Sequence, residues 1–408
     1  WQPLNSVLLE ASYVGNLARH QVVPVPLNQS QIATPAKPIH GQIYSYGNAV
    51  QTAGNSFCYY DCAPAHLPDG TVYQSEYEGG NIDLRVPYLG YANESETYKA
   101  AGVADYNALQ LHAEKRISHG LTAGASYTWS HALDEQSDIG LFYTGNNALD
   151  LRSGYGSADF DRTHVVSVNV GYEIPSPYTE STLAGKFTAG WHLNSIITLQ
   201  SGQPYSVIDF TGAVGSIYFS SYDGITNPVV PLAKGCTPKS ATTGKSGAFY
   251  NGNSNTAALN YKCFSVPLLT GNTVTANDTA TYGIPGPTSD APNGDPYETG
   301  FTTGQRNIFR QSSQKRADLQ LVKVLKLKER YNLKYTFDVF NLTNHSSFDI
   351  PNAEVTQNPG YDPTPAADQP VFGPQGSYSF YQPPSNVGIV QHTIGAPRQI
   401  QMSLNLSF

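Results

Sequence analysis

Arg398-Gln-Ile-Gln-Met-Ser-Leu-Asn-Leu-Ser-Phe408 closes the chain with an unbroken alternation. Ile400, Met402, Leu404, Leu406 and Phe408 fall on one side, and Gln399, Gln401, Ser403, Asn405 and Ser407 on the other. Successive strand residues point to opposite faces, so this segment has one apolar face and one polar, uncharged face. Two structures fit it. One is a half-buried strand of a water-soluble sheet; the other is a tilted strand crossing a bilayer, which needs about ten such residues.

The rest of the chain repeats the pattern, giving eight alternating segments in all. Val7–Val14 is the first and least regular. Tyr106–Ile117 sets Leu109, Leu111 and Ala113 against Gln110, His112 and Glu114. Leu121–His131 sets Leu121, Ala123, Ala125, Tyr127 and Trp129 against Thr122, Gly124, Ser126, Thr128 and Ser130. Thr163–Glu173 and Lys186–Gln200 follow, the latter with Phe187, Ala189, Trp191 and Leu193 on its apolar side. Arg316–Leu327 and Tyr331–Leu342 lead to the terminal segment.

The polar faces discriminate between architectures. A sandwich strand facing bulk water carries Lys, Glu and Arg; these faces carry mostly Ser, Thr, Gly, Asn and Gln, as a wall around a wet lumen does. The apolar faces place Tyr127, Trp129, Tyr172, Trp191 and Phe408 near strand ends, where aromatic belts meet membrane interfaces. An aromatic core edge of a soluble sheet is the competing reading.

Composition agrees. Gly at 37, Pro at 28 and Tyr at 28 suit an all-β chain with long ordered loops. No apolar run reaches the length of a transmembrane helix, a test that alternating strands escape. A net charge of -8 argues against nucleic acid as a partner. The chain opens on Trp1 with no charged-then-apolar leader, which leads us to expect a fragment or a processed product.

Connections also alternate. Ser118-His119-Gly120 and Lys328-Glu329-Arg330 are tight turns and Ile174 to Gly185 is a moderate linker, whereas 15–105, 132–162, 201–315 and 343–397 are long. Short turns on one side and long loops on the other is the outer-membrane arrangement, with both termini on the short-turn, periplasmic side. The expectation is an all-β antiparallel meander transmembrane β-barrel, or part of one, spanning residues 1–408 with long extracellular loops.

A series of motifs runs through these segments: Leu9-Glu-Ala-Ser-Tyr-Val-Gly-Asn16, Asp105-Tyr-Asn-Ala-Leu-Gln-Leu-His-Ala-Glu-Lys-Arg116, Gly120-Leu-Thr-Ala-Gly-Ala-Ser-Tyr-Thr-Trp-Ser130, Ala158-Asp-Phe-Asp-Arg-Thr-His164, Ser201-Gly-Gln-Pro-Tyr205 and Phe337-Asp-Val-Phe-Asn-Leu-Thr-Asn344. In order and spacing they resemble the carboxy-terminal barrel half of TonB-dependent receptors, especially the Oar-like branch with a carboxypeptidase-regulatory-like amino-terminal domain. The terminal strand ending in Phe408 resembles the signal read by the barrel-assembly machinery. Such receptors resemble plugged barrels of about 22 strands. The resemblance therefore implies that the plug, the segment that meets the TonB complex and the earlier strands lie outside this chain. It further implies a bacterial outer-membrane location, a lipid-bilayer setting and energised uptake or export of a large or scarce solute.

Chemistry is sparse. Thr243-Gly-Lys-Ser246 lacks the first Gly of a phosphate loop, since Lys239 stands there. Neither GxSxG nor HExxH occurs, and no His pair stands at ligand spacing, so we expect no catalytic residues, no cofactor and no metal. Asp159 and Asp161 flank Phe160 beside Arg162; an Arg–Asp cluster ordering the loop is favoured there over a calcium site. Loop aromatics Tyr59, Tyr60, Tyr73, Tyr77, Tyr218, Phe219 and Tyr222 are the ligand-binding candidates, with packing of loop on loop as the alternative. Cys58, Cys62, Cys236 and Cys263 all lie in long loops, and their even number suggests two disulfides made in an oxidising compartment. Cys58–Cys62 and Cys236–Cys263 are the local pairings, although sequence leaves the connectivity open.

Three functions remain at this stage. The first is the barrel portion of a TonB-dependent transporter. The others are a complete small barrel of eight strands with a structural or adhesive role, and a soluble secreted β-rich binding protein.

Overall fold

A computed structural model describes residues 6–28, 31, 36–41, 86–91, 96–137, 150–208, 229–244, 258–264, 304–328, 331–353 and 387–408, without 234, 261 and 262, and the dipeptides 65–66, 72–73, 274–275, 372–373 and 377–378. One antiparallel sheet dominates it. Its strands are β1 (Val7–Pro26), β2 (Glu96–Ser118), β3 (Leu121–Asp134), β4 (His164–Ile174), β5 (Trp191–Gln200), β6 (Gln314–Lys328), β7 (Tyr331–Phe340) and β8 (Gln399–Ser407). Each pairs with its neighbours in sequence, so the eight form the expected meander; the two residues Gly156–Ser157 add a short ninth strand beside the end of β3. Among the described residues β1 and β8 have one neighbour each, and the sheet stays open.

Register carries the alternation across the whole wall. Leu121, Tyr172, Leu193, Leu321, Phe337 and Met402 stand opposite one another in succession from β3 to β8. The row displaced by one residue is Thr122, Gly171, Asn194, Gln320, Asp338 and Gln401. Cross-strand partners share a face, so the first row lies on one continuous apolar face and the second on one continuous polar face. The polar row bonds to itself. Asn194 Nδ2 donates to Gln320 Oε1 at 3.1 Å, and Gln320 Nε2 donates to Asp338 Oδ1 at 2.7 Å.

Two elements differ from the sequence expectation. Pairing of β1 with β2 continues to Pro26 and Glu96, past a bulge at His20, whose φ is 57°, so the first ladder extends well into the 15–105 stretch. Residues 186–188, read as the start of a strand that put Phe187 and Ala189 on its apolar side, instead belong to the short helix α1 (Leu183–Thr188). The Thr182 side chain accepts from Gly185 N at its amino end, and Gly190 (φ 70°) turns the chain into β5. A helical turn satisfies these backbone groups locally, where a strand would need a partner beyond Trp191.

The long-connection end carries a second core. Tyr205, Val207, Val230, Leu259, Phe264 and Phe309 are buried together with Val387, and Ile350 and Ala353 pack on them. Backbone bonds knit the 343–397 connection onto the 201–315 one: Ala258 N donates to Gly388 O at 2.6 Å and Ile208 N to Ala353 O at 2.9 Å. Gly388 has φ 71° and a Cβ there would lie 2.7 Å from Leu259 N, so this crossing requires glycine.

Cys236 and Cys263 form a disulfide inside that core, with Cα atoms 5.6 Å apart, as the local pairing expected. Cys58 and Cys62 lie outside the described residues. The bridge spans a sequence separation of 27 residues, which stabilises this second core by about 3.5 kcal/mol in the chain-entropy picture. A Cys236→Ser/Cys263→Ser protein should keep the eight-stranded sheet while residues 229–264 become sensitive to limited proteolysis. Unchanged protease resistance would show that the bridge contributes nothing there.

Candidate functional site

Among the described residues, a constellation of charged side chains lies where the long connections meet the ends of β3 and β4. Asp134 ends β3 on the same side as Ser130 and Ala132, and all three are buried. Arg306, from the segment preceding β6, fills the space above them with only 7% of its surface exposed. Its guanidinium forms an ion pair with Asp134 and donates to Asp134 O at 2.8 Å, Gly154 O at 2.9 Å, Ser137 Oγ at 3.2 Å and Asp159 Oδ1 at 3.2 Å. Asn307, held at φ 58°, donates from Nδ2 to Ser157 O and Asp159 Oδ1, both at 2.6 Å.

A parallel arrangement stands beside it. Asp161 has a side chain only 1% exposed; its Oδ1 accepts from Ala132 N at 2.8 Å and its Oδ2 meets Arg310 and lies 3.2 Å from His131 Nδ1. Arg162 points elsewhere. It donates to Ser201 O at 2.9 Å and to Gln203 Oε1 at 3.4 Å, and burial, reinforced by neighbouring Arg310, lowers its pKa despite Asp161. Gly202 fits under this crossing because a Cβ there would lie 1.6 Å from Gln311 O. Tyr155 completes the group, donating to Asp105 Oδ2 at 2.6 Å; burial and then the bond to that carboxylate push its pKa to about 12.

The Asp159-Phe160-Asp161 motif thus anchors the 132–162 connection to the 201–315 connection. The Arg–Asp cluster foreseen around it exists, but its cations are Arg306 and Arg310 rather than adjacent Arg162. Sequence inspection missed Arg306, Asn307 and Arg310 because the whole 201–315 stretch read as one loop. The available signal was a pair of arginines just ahead of β6, four residues apart. Asp134, Asp159 and Asp161 each pair with a guanidinium, and the Asp105 carboxylate accepts from Tyr155, so the arrangement is a latch. No group of three His, Cys, Asp or Glu suited to a metal occurs among the described residues.

Of the other sequence candidates, Tyr127, Trp129, Tyr172 and Trp191 share the apolar face, and Phe408 follows β8 with 92% of its surface exposed. Tyr127 stacks on His164, ring centroids 6.1 Å apart, and its hydroxyl lies 2.9 Å from His164 Nδ1. Tyr59, Tyr60, Tyr77, Tyr218, Phe219 and Tyr222 lie outside the described residues. Tyr73 belongs to a two-residue ladder pairing Ala65–His66 with Val72–Tyr73, and its side chain also lies outside.

A family model described as an outer membrane beta barrel domain matches residues 2–401. The chain belongs to that family. This outer-membrane barrel domain has no match among curated proteins. Among solved structures it is similar to the outer membrane transporter YddB from Escherichia coli, at 9% identity and a TM-score of 0.37. That alignment covers 100% of this chain and 31% of the YddB chain. Family membership places the protein in the bacterial outer membrane, and a soluble secreted role is set aside. In that setting the apolar face of the sheet meets lipid, and the polar face, on which Asp134 receives Arg306, lines the interior.

Breaking the latch should be costly in one partner and mild in both. Arg306→Met strands the buried Asp134 carboxylate, and we expect it to destabilise the cap by about 3–5 kcal/mol. Arg306→Met/Asp134→Leu should recover most of that loss, as read by hydrogen exchange of residues 150–162. Additive losses in the double variant would show that the two side chains act independently.

Proposed function

We propose that this barrel domain is the carboxy-terminal wall of a TonB-dependent receptor of the Oar-like branch, passing a large or scarce solute across the outer membrane. The observation that carries the reading is the open sheet, in which β1 and β8 each have only one neighbour among the described residues. An unpaired strand edge in hydrocarbon leaves backbone groups unsatisfied at several kcal/mol each. Further strands, as such a receptor provides, would complete the wall. A self-contained barrel of eight strands would instead pair β1 with β8. The motif series supports the receptor reading, and the cap suits a protein that holds solute at its long-loop end.

The aromatics support a membrane setting for this wall. Trp129 stands opposite His164 and Trp191 opposite Ile174, ten residues further along β4. At about 3.4 Å per residue and a tilt of about 40°, the two belts would be about 26 Å apart, close to the height of an outer-membrane apolar band. Tyr172 and Phe408 would join the periplasmic belt, with β8 presented to the assembly machinery. Val168→Arg, midway down the lipid face, should then destabilise the membrane-inserted protein by about 2–4 kcal/mol in urea unfolding from liposomes. Asn169→Arg, one residue on and facing the interior, should be tolerated. Equal effects would contradict the assigned faces.

TonB coupling is tested on the full-length protein extracted from outer membranes. It should be retained on the immobilised periplasmic domain of TonB, and retention should increase once the transported solute is bound. A correctly inserted protein that never binds TonB would end the receptor reading and favour the structural barrel.

A further inference from the structure

A groove of about 320 Å³ opens on the lipid-facing side of the wall, at the short-turn end. Its floor is Leu325, Leu333 and Tyr335 on the apolar face of β6 and β7, and Leu325 and Leu333 are direct cross-strand partners. Its walls are Trp191 and the helix α1, whose Leu183 and Phe187, one turn apart, are 75% and 72% exposed. Such exposure of two large apolar side chains suits a helix lying in a membrane interface.

Structural contacts fix α1 against the strands. Phe187 O accepts from Trp191 Nε1 at 2.8 Å and from Lys323 Nζ at 3.3 Å, and Lys323 also donates to Ala189 O. Thr188 and Ser176 share a hydroxyl bond of 2.8 Å. Gly185 is buried, and a Cβ there would lie 1.8 Å from Thr179 O. The groove is therefore a built feature of the turn between β4 and β5.

Two ammonium groups belong to this apolar groove. Lys323 projects from the lipid face, opposite Trp191 and Tyr335, with Nζ 5.3 Å from the centroid of the Trp191 ring. An ammonium has three donors, and two of those on Lys323 go to the carbonyls at the end of α1. Lys186, exposed on α1, forms no ion pair among the described residues, whereas nearby Lys326 meets Glu180 at 3.3 Å. Hydrocarbon walls beside the exposed Lys186 ammonium and the remaining donor of Lys323 complement an acyl chain that carries an anionic phosphodiester.

We propose that this groove binds an anionic glycerophospholipid of the periplasmic leaflet. One acyl chain lies between α1 and the β6–β7 hairpin, and the phosphate is held by Lys186 with the remaining donor of Lys323. The proposal rests on the membrane sidedness given above and is independent of TonB. Its occupant is set by charge: a zwitterionic headgroup offers the lysines less, by about fivefold in affinity for one near-surface cation.

Photo-crosslinking of the full-length protein in its membrane tests this, with phosphatidylglycerol carrying a diazirine in one acyl chain as the probe. Adducts should concentrate in peptides covering residues 183–191 and 323–335, at several times the yield of a matched phosphatidylcholine probe. Lys186→Gln should cut that preference by about fivefold, and Lys186→Arg should retain it. Native mass spectrometry of the same proteins with unmodified phosphatidylglycerol gives a second measure, independent of probe chemistry. Equal labelling by both lipids, adducts spread evenly over β3, or an unchanged preference in Lys186→Gln would each overturn the proposal. Failure of TonB binding with this labelling intact would leave the lipid site standing and remove only the receptor reading.

Discussion

The backbone ladder is the constraint on which everything else in this protein depends. A wall in hydrocarbon has no water to satisfy its N–H and C=O groups, so each strand must pair continuously with its neighbours. Pairing in turn fixes register, and register fixes faces, since a slip of one residue would exchange the Leu193–Leu321–Phe337–Met402 row for the Asn194–Gln320–Asp338–Gln401 row. The polar row then adds its own specificity, because Gln320 lies between Asn194 and Asp338 and bonds to both only in this register. The apolar row cannot supply that discrimination, since lipid accepts any aliphatic side chain.

Once the ladder ends, the chain needs another means of holding its long connections, and it uses buried ion pairs there. Asp134 closes β3, Asp159 and Asp161 come from the β3–β4 connection, and Arg306 and Arg310 from the approach to β6. Burying charges is expensive unless every partner is present, so the latch forms as a unit with the backbone carbonyls of Asp134 and Gly154. The hydrophobic cap around Phe264 and Phe309 continues from the same segment, with Phe309 directly preceding Arg310. Apolar and ionic fastening are thus supplied by one short stretch, residues 306–310.

How much of this was legible in sequence follows the range of the forces involved. The wall was readable because a strand writes its two faces into its own residues; all eight strands and their order could be read from alternation and turn lengths. Helix α1 was misread because Lys186-Phe187-Thr188-Ala189 alternates by accident, and what decides it is a cap from Thr182 and a tight contact at Gly185. The extension of β1 past Val14 was hidden by its polar Asn16, Arg19 and His20, which stand beyond the regular apolar pattern. The latch was half readable. Its carboxylates sit in a recognisable motif, but Arg306 lies 172 residues from Asp134, and no local pattern records such a pairing.

The same division governs what the two ends of the wall can do. At the long-connection end, the carboxylates of Asp134, Asp159 and Asp161 are matched by Arg306 and Arg310, which fastens one long connection to the next. At the short-turn end, Lys323 stands on the lipid face itself, and its ammonium reaches the carbonyls at the end of α1. A cation on that face is stable only if the helix, the Trp191 ring or an anionic headgroup replaces its water. Helix α1 supplies part of that replacement, and it does so by folding back onto the lipid-facing side instead of continuing β5. The departure from strand geometry at residues 186–188 is therefore what brings carbonyl partners to the Lys323 ammonium.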